Sequence, residues 1–223
     1  MNAPNLEFLT ERVSQIRARI ANAGGQSVKL IAVTKSFDVS AMVGAFSAGC
    51  DGVGENYAQE VIVKTGELSE HQRLPLHFIG RLQSNKIKAL ASLVDVWESV
   101  DRVSLINEIA KRSDVATRVT PVQIMLQVNS TNEPDKGGCE PSEVANLLAT
   151  AVSSGLDVIG LMTVGPTNND PKQTQSAFAL VRKIADDLGL KQKSMGMTGD
   201  FETAVEQGST AVRIGSALFG TRF

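Results

Sequence analysis

Three short stretches of this chain, and two single residues apart from them, carry side chains whose types and spacing could do chemistry. Lys35 follows the apolar run Leu30-Ile31-Ala32-Val33-Thr34, so its amine stands at the C-terminal end of a buried strand candidate. An amine held there can attack a carbonyl carbon and form a Schiff base, although a lysine taken alone is more often a solvated surface charge. The segment Ser194-Met195-Gly196-Met197-Thr198-Gly199-Asp200 joins glycines, which let backbone approach a ligand, to the Thr198 hydroxyl. Arg213-Ile214-Gly215-Ser216 adds a glycine and a hydroxyl beside a cation. Both segments run into helical stretches whose first N–H groups are free for an anion, yet each alone reads equally well as turn glycines and N-caps. Asn56 and His77 also stand at the ends of short apolar runs.

The elements around these residues decide between the readings. Leu6, Leu9, Val13, Ile16 and Ile20 recur at helical spacing up to about Ala23, where Gly24-Gly25 stops the helix. Strand candidates follow at 28–33, 51–54, 76–79, 94–98, 122–128, 158–162, 192–196 and 211–214. Each leads into a helical segment, with Asp38 and Asp101 as caps, Asp200 opening the helix to Gln207, Pro141 at a first helical position and Pro171 starting a long helix. The strands are apolar without alternation, as parallel strands covered on both faces must be. Eight βα units behind one extra helix predict a compact (β/α)8 TIM barrel forming a single domain over residues 1–223. A doubly wound open sheet competes, but the glycine-rich turn it needs after strand one is replaced by Thr34-Lys35-Ser36-Phe37.

Composition narrows the partners. The 223 residues are 42% hydrophobic and 21% charged with a net charge of -2, so no polybasic footprint points to nucleic acid. Aromatic residues, at 4%, are too scarce for base-stacking platforms. No apolar run is long enough to cross a bilayer and the N-terminus lacks a signal-peptide core, so no membrane association and a cytoplasmic location are expected. Cys50 and Cys139 are far apart and outside any metal-ligand or CxxC pattern, which argues against a disulfide framework and a zinc site.

In a barrel, chemistry gathers after the strands' C-terminal ends, and the loops after strands seven and eight are the usual phosphate cradle. A lysine after strand one facing such a cradle suggests a phosphorylated aldehyde held as a Schiff base, and pyridoxal 5'-phosphate (PLP) is such a ligand. Its pyridine nitrogen needs a partner, and Arg213 is the charged residue at the end of strand eight. A permanently protonated arginine donates to that nitrogen and keeps it unprotonated, which weakens the ring as an electron sink.

These residues stand in motifs that closely resemble the pyridoxal phosphate homeostasis proteins, single-domain barrels similar to the N-terminal domain of bacterial alanine racemase. The resemblance is carried by Ala32-Val33-Thr34-Lys35, Gly54-Glu55-Asn56-Tyr57 with Gln59-Glu60, and the run from His77 to Lys86. It continues through Val128-Asn129 with Glu133, Lys136 and Gly138, then Gly160 to Thr163, Ser194 to Asp200, Gly208 to Gly215 and Phe219-Gly220-Thr221-Arg222. It implies a fold-type III PLP barrel in which Lys35 is the Schiff-base lysine. Gly196, Met197, Thr198, Gly199, Gly215 and Ser216 match the phosphate cup, Arg213 faces the pyridine nitrogen, and Asn56 and His77 lie near the cofactor; His77 reads equally as a satisfied core histidine. The chain departs from the family pattern at Ser36-Phe37-Asp38-Val39, where many members have a further lysine and a proline, at Gly199 for a frequent aspartate, and at Arg81 for a frequent proline.

The expected function is therefore binding and delivery of PLP, with apo PLP-enzymes as acceptors, no catalytic residue, and a monomeric state. Lys136 reads as an alternative amine that accepts or relays the cofactor. A weak amino-acid racemase is the alternative. It would need a second base opposite Lys35, which alanine racemase takes from a tyrosine on another domain; Tyr57, the one tyrosine here, reads as structural, and the stretch ending at Phe223 leaves no room for that domain. A cofactor-free Schiff-base aldolase on the same barrel is a second alternative.

Overall fold

The computed structural model describes residues 5–113 and 120–220; Thr221 and Arg222 of the last family motif lie outside the described residues. The chain runs through α1 (Leu6–Asn22), β1 (Lys29–Val33), α2 (Val39–Ser47), β2 (Gly52–Glu55), α3 (Ala58–Glu67), β3 (Leu76–Phe78), α4 (Ser84–Leu90), β4 (Val96–Val100) and α5 (Val103–Arg112). It continues with β5 (Gln123–Gln127), α6 (Val144–Ser153), β6 (Asp157–Met162), α7 (Pro171–Asp187), β7 (Gln192–Ser194), α8 (Phe201–Glu206), β8 (Ala211–Ile214) and α9 (Ser216–Phe219). All eight strands pair in parallel with their sequence neighbours, and β8 returns to β1 in the register Ile31–Arg213, closing the barrel. The closed (β/α)8 architecture thus stands as the strand pattern predicts.

Two layers of side chains follow from the two faces of each strand. Leu30 and Ala32 of β1 turn outward and join Trp97, Phe178 and Phe201 in one large core between sheet and helices. Inside the barrel, Val96, Met125 and Met162 form a small separate apolar cluster, and buried polar groups fill the rest. The leading helix α1 buries Leu9, Val13, Ile16 and Ile20, and Asn5 caps it by accepting from the Phe8 N–H at 2.9 Å. It is latched to the elements behind β7 and β8. Arg19 makes a two-pronged ion pair with Glu202 of α8 at 2.9 and 2.8 Å, and Arg12 donates to the Ala217 and Leu218 carbonyls of α9 at 3.3 Å.

Local details differ from the sequence pattern where tertiary contacts override it. Asp38 does cap α2, accepting from the Ser40 N–H at 3.0 Å. Asp101 does not cap α5: Arg102 occupies the N-cap, and the Asp101 carboxylate pairs with Arg102 at 2.7 Å and accepts from the Gly138 N–H of a neighbouring loop at 3.3 Å. Pro141 opens a single 3-10 turn, closed by a reciprocal Glu140–Glu143 capping box, before α6 begins at Val144. β7 ends at Ser194, two residues short of the expected Gly196, although the Met195 N–H still donates to the Ala211 carbonyl at 3.1 Å and the Gly196 carbonyl accepts from the Arg213 N–H at 3.0 Å.

Candidate functional site

A cavity of about 500 Å³ opens at the C-terminal mouth of the barrel, lined by Val33, Lys35, Met197, Thr198, Gly199, Arg213, Gly215, Ser216 and Gly220. Seven residues singled out in the sequence thus come together, from the ends of β1, β7 and β8. The fold explains the meeting: β8 hydrogen-bonds to β1, so the lysine after one strand and the loop after the other are spatial neighbours although about 180 residues apart.

Lys35 is half-buried, and its backbone is fixed on both sides. The Lys64 ammonium of α3 donates to the Thr34 carbonyl at 2.9 Å, while the Ser36 N–H donates to Glu60 at 2.7 Å. Ser36 is held at φ 66°, the left-handed region that a non-glycine residue rarely adopts without such support. Lys64 is almost fully buried and also donates to Glu60 at 2.8 Å and to the fully buried Glu55 at 2.7 Å, which in turn accepts from the Thr34 hydroxyl at 2.6 Å. Burial holds the Glu55 carboxyl above the usual carboxylate range even against the Lys64 charge.

On the opposite side, Gly196 turns the chain at φ 93°; a Cβ there would sit 2.6 Å from the Ala204 Cβ and 2.8 Å from the Phe201 Cα, so only glycine lets this loop lie on α8. Gly196 itself does not line the cavity, but its carbonyl accepts from the Arg213 N–H at 3.0 Å. The Thr198 hydroxyl bonds the Ser216 hydroxyl at 3.2 Å and accepts from the Ala217 N–H at 3.4 Å, tying the two loops together. Asp200 accepts from the Met197 N–H at 2.6 Å. Among the described residues, the N–H groups of Thr198 and Gly199 have no acceptor. The rim therefore offers two hydroxyls and two free backbone donors, a set suited to an anion.

Arg213 lines the floor with its guanidinium 3% exposed, which makes it a buried cation with an assigned set of acceptors. Nη1 donates to the Ser194 carbonyl at 2.7 Å and hydroxyl at 2.6 Å, and Nη2 to the Thr163 carbonyl at 2.7 Å. Glu98 stands 3.8 Å from Nη1. Burial lowers the guanidinium from its ordinary value, opposed by the Glu98 and Asp200 charges, but an arginine in a protein keeps its proton.

Asn56 and His77 line other cavities. Asn56 borders a side cleft with Tyr57, Arg81, Gln83 and Lys86, where its buried Oδ1 has no partner among the described residues. A Cβ on Gly80 would fall 2.1 Å from the Asn56 carbonyl, so close packing of the β3 loop fixes this corner. The His77 ring lies inside the barrel against Glu98, Nδ1 to Oε1 2.6 Å, and faces a cavity of about 600 Å³ at the opposite, N-terminal mouth. Lys136 is engaged by Glu133 at 2.7 Å, by Thr131 at 3.4 Å and by the Gly165 carbonyl, clamping one loop to the next.

Sequence reasoning missed Glu98 and Lys64 as parts of the site's support. Each had a readable signal. Glu98 is an acid within Val96-Trp97-Glu98-Ser99-Val100, where a buried charge must be paired, and Lys64 falls three residues after Val61 on the apolar stripe of α3.

A closed parallel barrel with a lysine after β1 and glycine-rich loops after β7 and β8 defines the class of alanine-racemase-type barrels, and the family described as alanine racemase, N-terminal domain, matches residues 5–223. An alanine racemase from Clostridium difficile shares the fold at a TM-score of 0.78 with 15% identity, this chain covering 58% of it. Within that class, the chain belongs to the pyridoxal phosphate homeostasis protein family. A protein of that name from Pseudomonas aeruginosa is 38% identical over 97% of each chain, and one from Mus musculus is 34% identical over 97% of this chain and 85% of its own. PipY of Synechococcus elongatus, solved with PLP bound, superposes with a TM-score of 0.84 at 32% identity, covering 95% of this chain and all of PipY.

Proposed function

We propose that this protein holds PLP as a Schiff base on Lys35 and passes it to apo PLP-enzymes, without turning over a substrate of its own. The observation that carries the proposal is the C-terminal cavity, in which an amine, a buried guanidinium and a hydroxyl-rich glycine rim face one another. PLP supplies an aldehyde carbon, a pyridine nitrogen and a phosphate. The residues fit each in kind. The Lys35 amine takes up the aldehyde with loss of water; Thr198, Gly199 and Ser216 offer donors to the phosphate; Arg213 donates to the ring nitrogen. The described volume, about 500 Å³, lies within the ordinary range of small-ligand sites.

A carrier rather than a racemase is favoured by what stands around the amine. The cation-only Arg213 keeps the ring nitrogen unprotonated, and Tyr57, the single tyrosine, lines the side cleft with Asn56. Lys136, held by Glu133 and the Gly165 carbonyl, fits a loop clamp better than a second acceptor amine. Among the described residues no helix is long and apolar enough to cross a membrane; a cytoplasmic location and a monomeric state are part of the reading proposed.

Purified protein mixed with PLP is expected to gain visible absorbance, and borohydride reduction followed by peptide mass mapping is expected to place the adduct on Lys35. Lys35→Ala loses the band with its far-UV circular dichroism unchanged. A colourless mixture, or an adduct elsewhere, overturns the anchor. Delivery is read separately, as recovery of activity by an apo PLP-enzyme; recovery no faster than from free PLP at equal concentration refutes it.

A further inference from the structure

The floor of the site continues through the barrel. Arg213 Nη1 donates to the Ser194 hydroxyl at 2.6 Å, which donates to Glu98 Oε2 at 2.6 Å, and Glu98 Oε1 meets His77 Nδ1 at 2.6 Å. Glu98 is fully buried and both its oxygens are used, so the network is satisfied throughout, the condition under which buried polar chains hold one geometry. Its two ends face different cavities: Arg213 lines the C-terminal one and His77 the N-terminal one.

We propose that Glu98, backed by His77, is the positioning residue for Arg213, and that this chain carries the protonation state of His77 at one mouth of the barrel to the cation that faces the ligand cavity at the other. The consequence for PLP rests on the functional reading above; the coupling itself does not.

The chemistry is a single proton. With a carboxylate against Nδ1, that nitrogen carries the proton of the neutral ring, and Nε2 is the atom that titrates. When Nε2 is protonated, Glu98 is shared between two cations, and the trio carries one net positive charge. When it is not, the Glu98 charge acts on Arg213 alone, and the trio is neutral. Burial works against the Glu98 carboxylate, but hydrogen bonds and charge from His77, Arg213 and Ser194 hold its carboxyl below the usual range. The other charged groups around the N-terminal cavity are Lys29, Asp51, Glu70, Arg73 and Asp95. Asp51 is paired with Arg17 at 3.0 Å and Asp95 with Arg73 at 3.3 Å, which leaves Glu98 as the acid in hydrogen-bond contact with the ring. On the Arg213 side, Asp200 adds a second negative charge.

The test uses the full chain. In ligand-free, 15N-labelled protein followed across pH, the His77 ring and the Arg213 guanidinium resonances are expected to move together, with one shared midpoint. In His77→Gln and in Glu98→Gln the Arg213 resonance loses that step. With PLP added, any pH step in the absorbance of the bound cofactor follows the same midpoint and disappears in His77→Gln. A His77 ring that shows no pH step, or an Arg213 resonance indifferent to that step in the wild-type protein, overturns the proposal whether or not PLP binds. Failure of PLP to bind, with the shared midpoint present, overturns the functional reading and leaves the coupling standing.

Discussion

Replacing Lys64 by methionine removes one ammonium and leaves a carboxylate stranded. In the native protein Lys64 donates to Glu55 at 2.7 Å, to Glu60 at 2.8 Å and to the Thr34 carbonyl at 2.9 Å. Glu60 is partly open to water and recovers much of its loss by hydration. Glu55 is fully buried, and only the Thr34 hydroxyl remains to it. Breaking a buried ion pair from one side costs about 3–5 kcal/mol, a large part of the roughly 5–15 kcal/mol that holds a domain together. The cost has a ceiling, because Glu55 can take a proton, and burial already holds its pKa up. The sign follows from that direction. A carboxyl whose folded pKa is raised above its unfolded value binds its proton more tightly in the native state, so stability falls as pH rises from the unfolded to the folded value. Wild type shares that slope, but losing the Lys64 charge raises the Glu55 value further, so relative to wild type Lys64→Met is expected to regain about 1.4 kcal/mol per pH unit as pH drops from the variant's folded value to the wild-type one. Urea unfolding near pH 8 and pH 5 reads this directly, and Glu55→Gln in the Lys64→Met background should restore most of the loss near pH 8. A loss equal at the two pH values and untouched by Glu55→Gln refutes the buried-pair reasoning. Because Lys64 and Glu60 also fix the backbone flanking Lys35, PLP affinity should weaken in the same variant.

Three other expectations rest on single features. Gly196→Ala forces a Cβ to within 2.6 Å of Ala204 at a positive φ, and should cost about 1–3 kcal/mol in a thermal or denaturant melt and weaken PLP binding; unchanged melting would show that the loop can move off α8. Burial pushes the Cys50 and Cys139 thiols up to about 12, so a thiol reagent near neutral pH should label neither until the protein unfolds. Hydrogen bonds from Lys136 and the Thr167 N–H, at 2.7 and 3.2 Å, hold Glu133 down to about 2. This lowered pKa means its tie to Thr167 is present above the unfolded carboxylate range and lost as pH falls through the folded value; a Thr167 amide whose protection, relative to its intrinsic exchange rate, disappears on acidification well above that pH would contradict it.

The fold was legible because its signals are local. Unalternating apolar strands, each followed by a helical pattern, leave few arrangements, and eight such units in this length select the barrel. Boundaries were less legible for a physical reason. Asp101 has the side chain of a cap, yet a neighbouring cation and the Gly138 N–H outcompete the α5 terminus for it. Arg102 stands beside it in sequence, but nothing nearby announces the Gly138 N–H, thirty-seven residues away.

The same division runs through the site. Lys35, the glycine and hydroxyl loops and Arg213 could be read from the sequence, because chemistry at a barrel's C-terminal mouth must come from the residues that end the strands. Where the remaining side chains point is decided by packing. His77 reads as a strand end in the sequence but lies in the middle of β3, where a period of two turns its ring into the barrel, and the anion of Glu98, twenty-one residues away, fixes it toward the opposite mouth. Lys64 looks like a helix lysine until α3 packs over the ends of β1 and β2 and brings it to Glu55 and the Thr34 carbonyl. The chain alone determined the barrel, the amine and the cradle. Only the closed sheet decided which buried charges meet, since those pairs join residues that sequence neighbours cannot specify.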